Sequence, residues 1–581
     1  MKNKYEQIRK KREEWRQGPL KNALARFPHL QDSPSRFYSP LDVQQFDFLE
    51  KVGFPGDYPF TAGAYPFDPM AGTSKSAPNS PGKSSLTRAA LYSGYGAPED
   101  TREYYRMMIA RGFRQGPNLP LDLPTQCGYD SDNPLVEGEV GRVGVSVDTL
   151  RDLEVIYEPY RQNLELDRIA SNFTINAPAI YFIALYAALA QKRGISFDSL
   201  RATPQNDILK EYIARGTYIF PPRPSMRLFR DTLMFLNRHM PKVNINSMGG
   251  YHIREAGATR IQDLAFSMAN ACAYIQEGLK AGLAIDDFAS RLTFNTFGGS
   301  MEFLKEIAFH RAARRMYARI MKERFGAKNP RSMVLRAGMA AHIGPSSTTK
   351  QRPLNNLTRS VIGAIAGALS GGPPRPYPPF DEPMGLGWSM EARQLSEDAN
   401  RILAYEARLL DVPDPFAGSY CIEALTEEIE NGAWDELEKI DHMGGAVAAI
   451  EDGYMQREIS KSAYECAQMI SRGERLIVGV NCFTGEQELE VETNRMVPHP
   501  YDPEKRARAE ELQITNLRKV KRSRNDAEVR RLLGELKQKA RREDYNLVKL
   551  LIECARAYVT VQEVCDVFRD VFGEYTAPSI F

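Results

Sequence analysis

Residues 205–227 read QNDILKEYIARGTYIFPPRPSMR, and residues 249–258 read GGYHIREAGA. In the first, Ile208, Leu209, Tyr212 and Ile213 share one helical face, which Asn206 or Asp207 opens and Gly216 stops. In the second, paired glycines mark a tight turn before Tyr251 and His252. Both read as parts of βα units. They present an amide (Gln205), a guanidinium (Arg215), a phenol (Tyr251) and an imidazole (His252). No G-x-S-x-G, paired-carboxylate cluster or metal-spaced His/Cys set accompanies them. A donor-rich site without its own reactive group implies that a bound cofactor carries the chemistry.

The same alternation extends outward. Val143–Val147 reads as a strand with Asp148 capping the following helix. Phe173–Ile175 reads as a strand before an apolar helix over 178–190. A strand at 243–246 precedes an acid-capped helix over 262–279, and Asn355-Asn356 opens another helix. No G-x-G-x-x-G or Walker A run is present. Repeated βα units favour an α/β fold of the (β/α)8 TIM-type barrel class over a doubly wound sheet. The expected plan is an N-terminal arm over 1–50 that contacts another subunit, a barrel over 51–414 and a helical region over 415–581.

The chain has 581 residues, 43% hydrophobic and 26% charged, with a net charge of +2. That balance gives no general attraction to nucleic acid. Its seven cysteines have no C-x-x-C spacing, which argues for a reducing compartment and against a zinc module. No apolar stretch nears the roughly 20 residues needed to span a bilayer. The N-terminus is charged from Lys2 with no apolar stretch behind it, unlike a secretory signal. Cytoplasmic localisation is the expectation.

Taken alone, each candidate has two readings. Arg215 answers the dipole of its helix C-terminus, or it clamps a carboxylate. His252 and Gln205 are satisfied structural groups, or they donate to a substrate carbonyl. Arg227 is structural or phosphate-facing. The Gly/Pro/Ser-rich stretch 52–85, with Tyr58, Phe60, Tyr65 and Phe67, is a ligand-contacting loop or a surface one.

Longer matches narrow these. YPFTAG (58–63), LDLPTQCGYDSDNP (121–134), GEVGRVGVSVDT (138–149), the quoted runs, HRAARR (310–315), RPLNN (352–356), FDEP (380–383), FAGSYCIEALTEEIE (416–430), GGAVAAIEDGY (444–454), GERLIVGVN (473–481) and FGEY (572–575) occur in order. Together they resemble the large, substrate-binding subunit of the adenosylcobalamin-dependent acyl-CoA mutases, the methylmalonyl-CoA mutase group. The resemblance implies a barrel threaded by the pantetheine arm of acyl-CoA, with adenosylcobalamin across one end. Family members take the cobalt's lower histidine from a D-x-H-x-x-G motif, in a C-terminal domain or a small separate subunit. That motif is absent here. The expectation is therefore no cobalamin-binding domain in this chain, no metal ligands of its own, and a small cobalamin-binding partner in a heterotetramer of two large and two small subunits.

By resemblance, Arg215 matches the arginine that holds the free carboxylate of methylmalonyl- or succinyl-CoA. Relatives acting on isobutyryl- or 2-hydroxyisobutyryl-CoA carry glutamine there. Tyr92 matches the tyrosine wedged between cobalamin and substrate. His252 resembles the donor to the thioester carbonyl, with Gln205 its companion and Tyr251 beside them. Glu382 resembles the glutamate near the adenosyl ribose.

The pattern departs from the family where ligands touch. The usual TRG reads Thr61-Ala62-Gly63, followed by an insertion, and Arg88 or Lys83 stands in for a missing arginine. Asn118 takes the place of a serine. The H-x-Q-T-S-G region reads MAAHIG (339–344), where His342 substitutes through a shifted register, and GGTQSLHTN becomes GGPPRPYPP (371–379). Three functions follow as expectations. The first is a radical 1,2-rearrangement of a substituted malonyl-CoA to a substituted succinyl-CoA, with a side group bulkier than methyl, an aryl group for example. The second is an ordinary methylmalonyl-CoA mutase subunit, and the third a non-catalytic assembly subunit.

Overall fold

Short apolar runs bounded by Gly, Pro and Asn become parallel strands in the computed structural model, which describes residues 2–26, 28, 38–43, 46–66, 94–110, 112–295, 297–336, 342–372, 378–384, 389–485 and 503–579. Strands β1 (Asn118–Pro120), β2 (Ala170–Thr174) and β3 (Arg201–Pro204) form one sheet. Strands β4 (Asn246–Met248) and β5 (Leu292–Phe294) pair, as do β6 (Gly298–Gly299) and β7 (His342–Ile343). All these pairings are parallel. Further hydrogen bonds join the pieces. Asn244 N donates to Ala202 O at 2.9 Å and Ser247 N to Gln205 O at 2.8 Å, linking β3 to β4. Phe294 N donates to Arg336 O at 2.8 Å, beyond β5. Parallel strands need helical crossovers, which cover them and leave their side chains buried. The architecture is α/β with helices predominating.

The 143–147 run contributes one bridged position, Val145, set between Gly96 and Leu121. Gly144 makes this approach possible, since a Cβ there would lie 2.3 Å from the Leu121 carbonyl carbon. The following helix, Leu150–Ile156, is capped by Thr149 in a capping box with Asp152, not by Asp148. The reason is that the Asp148 carboxylate is taken by Ser131 N (2.8 Å), Ser131 Oγ (2.7 Å) and Gln513 Nε2 (2.7 Å). Helix Arg260–Lys280 likewise starts at a Thr259–Gln262 capping box, not at an acid. Helix Ala179–Lys192 is buried from Ala179 to Ala190 on every side, the pattern of a helix inside a core.

The helices from 420 onward share that core. Residues of helices Tyr420–His442, Asp526–Ala540, Val548–Arg556 and Val561–Phe572 join the cluster that contains the strands. Arg227 serves as a staple here: it donates to the carbonyls of Ala540 and Arg542. The structural alternative thus accounts for it.

Helices Phe303–Arg319 and Tyr420–His442 are joined by a charge ladder. Arg311 has no exposed side-chain surface. Its Nε meets both Asp414 oxygens at 3.1 Å, and its terminal nitrogens reach Glu423 at 2.6 and 3.1 Å and Thr426 at 3.1 Å. One turn on, Arg315 pairs with Glu430. Arg314 donates to Phe60 O (2.9 Å) and Thr61 O (2.6 Å), fixing the chain that leads to residue 66. The matched strings HRAARR and IEALTEEIE are therefore the two sides of one buried ionic seam. No described helix is long and apolar enough to cross a membrane.

Candidate active site

The first residues beyond β1, β2, β3 and β4 meet on one rim, at the carboxyl ends of the strands. Open and closed parallel sheets bind ligands at this end. Of the four groups singled out in the sequence, Gln205 and Arg215 join one hydrogen-bond network here, and Tyr251 and His252 lie on the turn pinned beside it. Gln205 follows β3 directly, its N–H held by Phe173 O at 2.7 Å. Its side-chain oxygen accepts from Asn176 Nδ2 at 2.9 Å. The same Asn176 nitrogen donates to Glu211 Oε1 at 2.7 Å, and Asn176 Oδ1 accepts from Asp207 N at 3.0 Å.

The Arg215 helix is regular only for Ile208–Lys210 and then widens into a π turn over Glu211–Arg215. Such single turns recur at functional sites. Gly216 ends it at φ +88°, a left-handed position that suits glycine. Arg215 is about a quarter exposed, and its NH1 donates to Gln126 Oε1 at 2.6 Å. The same nitrogen stands 3.3 Å from Thr217 Oγ1 and 3.4 Å from Glu211 Oε1. Gln126 is itself fixed by a 2.6 Å bond from Nε2 to Leu121 O. These contacts to Gln126, Thr217 and Glu211 are ones that the helix dipole by itself does not explain.

Glu211 is the hub. It is buried, pairs with Lys210, and accepts from Thr217 N (3.1 Å) and Thr217 Oγ1 (2.5 Å). Burial alone would raise its pKa, but Lys210 and Arg215 outweigh that and hold the carboxyl below its ordinary range. Burial lowers the Lys210 pKa. Asp207 accepts from Gly249 N (2.8 Å) and Tyr274 OH (2.8 Å), which pins the glycine turn against the β3 end.

That turn starts helix Gly250–Glu255, with the Tyr251 and His252 rings 3.9 Å apart between centroids. His252 Nδ1 is shielded from solvent without a hydrogen-bond partner among the described residues. Burial, then Lys210 and Arg215, drive the imidazole pKa well below 6.5. His252 is therefore neutral at physiological pH, a donor or acceptor and not a source of protons. A stability prediction follows. Unfolded His252 binds a proton below 6.5 and the folded residue does not, so its contribution is present above pH 6.5 and is lost as pH falls below it. Denaturant titrations of wild type and His252→Gln at pH 7.5 and 5.5 should show the larger acid loss in wild type. Equal losses would place the imidazole in a solvated setting.

The remaining candidates stand apart. Asn118 opens β1 at its amino end, level with Asn172, and its N–H meets Tyr105 OH at 3.2 Å. His342 opens β7 opposite Gly298. Its segment reaches the site helix from the other end, where Glu255 accepts from Ser346 N at 2.7 Å and Ser346 Oγ at 3.2 Å. Glu382 begins a short turn, Glu382–Met384, tied to helix Asn355–Leu369 through Asn356 Nδ2 to Phe380 O at 3.0 Å. Tyr92, Arg88 and Lys83 lie outside the described residues, as do parts of the 371–379 run. The sequence reading passed over Gln126, Asn176, Lys210 and Glu211. The available signal was position, since Asn176 follows β2 as Gln205 follows β3.

The methylmalonyl-CoA mutase family profile matches residues 31–574. The 2-hydroxyisobutanoyl-CoA mutase large subunit of Aquincola tertiaricarbonis is 35% identical over 584 aligned residues, 99% of this chain and 98% of that protein. Human mitochondrial methylmalonyl-CoA mutase is 36% identical over 546 residues, 93% of this chain and 68% of its own length. The Escherichia coli methylmalonyl-CoA mutase is 36% identical over 494 residues, 84% and 66% respectively. The chain therefore belongs to the methylmalonyl-CoA mutase family, a family of isomerases.

Proposed function

We propose that this chain is the large, substrate-binding subunit of an adenosylcobalamin-dependent mutase that interconverts a substituted malonyl-CoA and a substituted succinyl-CoA. The observation that carries the reading is the joining of Arg215, through Glu211 and Asn176, to Gln205 at the carboxyl ends of parallel strands. In the proposed fold these strands close into a TIM-type barrel, with Asn118 facing the pantetheine arm. A small cobalamin-binding subunit completes the site, two of each subunit assembling, with the exposed N-terminal arm packed on a neighbour. The relative matched over nearly its whole length is itself named a large subunit. The family's soluble enzymes and seven free thiols suit a cytoplasmic setting.

The donor set fits a cofactor that brings its own reactive group. The network holds and orients, and offers no nucleophile. Glu382 and the segment opened by His342 would hold the adenosyl side. When bound, adenosylcobalamin would supply the radical that takes a hydrogen atom from the substrate and later returns it. The rest falls to the chain. Arg215 holds the free carboxylate, since burying it without a countercharge would be costly. Gln205 and neutral His252 hold the thioester carbonyl without giving up a proton. The substrate's thioester-bearing group then migrates between neighbouring carbons while both its ends stay fixed.

The test is isomerisation of a panel of alkyl- and aryl-substituted succinyl-CoA esters, read by mass spectrometry. Turnover should require the chain, the small subunit and adenosylcobalamin together. Rearrangement without the cofactor, or none with any dicarboxylic ester, contradicts the proposal.

A further inference from the structure

Two of the strings that match the family, GGAVAAIEDGY (444–454) and FGEY (572–575), take no part in the roles above. Yet Gln456, two residues past the first, and Tyr575, the last of the second, both touch Tyr212 in the π turn Glu211–Arg215. In an α-helix the Gly216 N–H would donate to Tyr212 O, four residues back. Here it donates to Glu211 O at 2.8 Å, the five-residue step that widens the turn. The next donor, Thr217 N, is spent on Glu211 Oε2 at 3.1 Å. Tyr212 O is thus left to a partner from elsewhere, and a buried carbonyl without one is costly.

That partner is Gln456, buried on helix Tyr454–Ser471, whose Nε2 donates to Tyr212 O at 3.2 Å and to Ile450 O at 3.3 Å. The Tyr212 side chain is held as well. Its OH donates to Phe220 O at 2.5 Å, and its ring stacks on Tyr218 at 5.3 Å between centroids. Tyr575 meets both rings edge-on, at 4.8 and 5.0 Å, while its N–H donates to Ile219 O at 2.9 Å. Three residues on, Pro578 passes Gly453, where a Cβ would lie 3.0 Å from the proline Cγ. The segment that carries Tyr575 and the helix that carries Gln456 therefore brace the turn together.

We propose that Gln456 and Tyr575 are positioning residues: they hold the turn in its widened form and so set where Arg215 stands at the substrate rim. This rests on the reading that Arg215 binds the second carboxylate of the substrate. Arg215 keeps its contacts with Gln126, Thr217 and Glu211, and the brace fixes their geometry. Without Gln456, Tyr212 O regains a donor when Gly216 N returns to it. The turn then tightens and shifts Arg215, its last residue, relative to Gln126. Without the Tyr575 ring, Tyr212 loses the packing that opposes this shift.

The experiment uses the chain with its cobalamin subunit and adenosylcobalamin. Kd is measured for succinyl-CoA and for butyryl-CoA, which has nearly the same length but no second carboxylate. Wild type, Gln456→Met, Tyr575→Leu and Tyr575→Phe are compared. Gln456→Met and Tyr575→Leu should each weaken succinyl-CoA by about tenfold, the scale of one hydrogen bond, and leave butyryl-CoA unchanged. Tyr575→Phe keeps the ring and loses only a hydroxyl without a hydrogen-bond partner among the described residues, so it should match wild type. Equal weakening of both esters, the mark of a folding role, overturns the proposal. So does wild-type affinity in Gln456→Met or Tyr575→Leu, or a Tyr575→Phe enzyme as weak as Tyr575→Leu. A wild type that binds both esters alike overturns the Arg215 reading and this proposal with it, whereas the other outcomes leave that reading standing.

Discussion

Replacing Arg215 by glutamine is expected to lower kcat/KM for a succinyl-type CoA ester by about a thousandfold. Removing one partner of a buried, hydrogen-bonded charge pair costs about 4 kcal/mol, which is that factor in an equilibrium constant. Glutamine can still hydrogen-bond to Gln126, and the position is about a quarter exposed, so the melting temperature should move little. Steady-state kinetics with succinyl- and butyryl-CoA would show whether the loss is confined to the dicarboxylic ester. A similar loss for both would mean that Arg215 shapes the pocket and does not bind a carboxylate. The contrast matters because the relative matched over 99% of this chain is named for 2-hydroxyisobutanoyl-CoA, a monocarboxylic acyl group. Length of match and the identity of one charged residue point to different substrates. Under the proposed function the charged residue is the stronger guide, since an arginine that faces the acyl group would lack a countercharge with a monoacid.

The largest stability effect is expected from Arg311→Ala. It would strand Asp414 and Glu423, both buried, without their countercharge. Breaking a buried pair from one side costs about 3–5 kcal/mol, enough to loosen the contact between helices Phe303–Arg319 and Tyr420–His442. The sign of the pH dependence is fixed by the acids left behind. Burial already raises the Asp414 pKa, and Arg311 opposes that rise. Without the arginine Asp414 takes up a proton more readily in the folded state, so the deficit of the variant should shrink as pH falls. Chemical denaturation across pH would check this. A deficit that grows in acid would mean that the seam is not held by charge.

Periodicity and turn residues carried much of this structure. The apolar helix after β2, the glycine stop at Gly216 and the helices beyond 420 follow from patterns of Leu, Ala, Gly and acid residues alone. Caps were harder. Asp148 and Thr149 are adjacent and both suit the role, and only the tertiary contact to Ser131 decides that Thr149 takes it. The 143–147 run was shorter as a strand than as an apolar run, since only Val145 is bridged, between Gly96 and Leu121.

At the site, Gln205 and Arg215 were legible from residue type, and the structure joins them. Glu211 and Lys210 were not. A neighbouring Lys-Glu pair in a helix usually marks a solvated face, and the switch to a π turn at Glu211 leaves no mark in periodicity. Gln126 lies far from Arg215 in sequence, and a neutral amide gives no hint of a cation partner.

The most direct measurement of the central claim is the ratio of kcat/KM for succinyl-CoA to that for butyryl-CoA in the assembled wild-type enzyme. An arginine clamp joined to the thioester-holding residues predicts a ratio of at least about a hundred, the scale of one desolvated charge pair. A ratio near one, or a preference for butyryl-CoA, would contradict it.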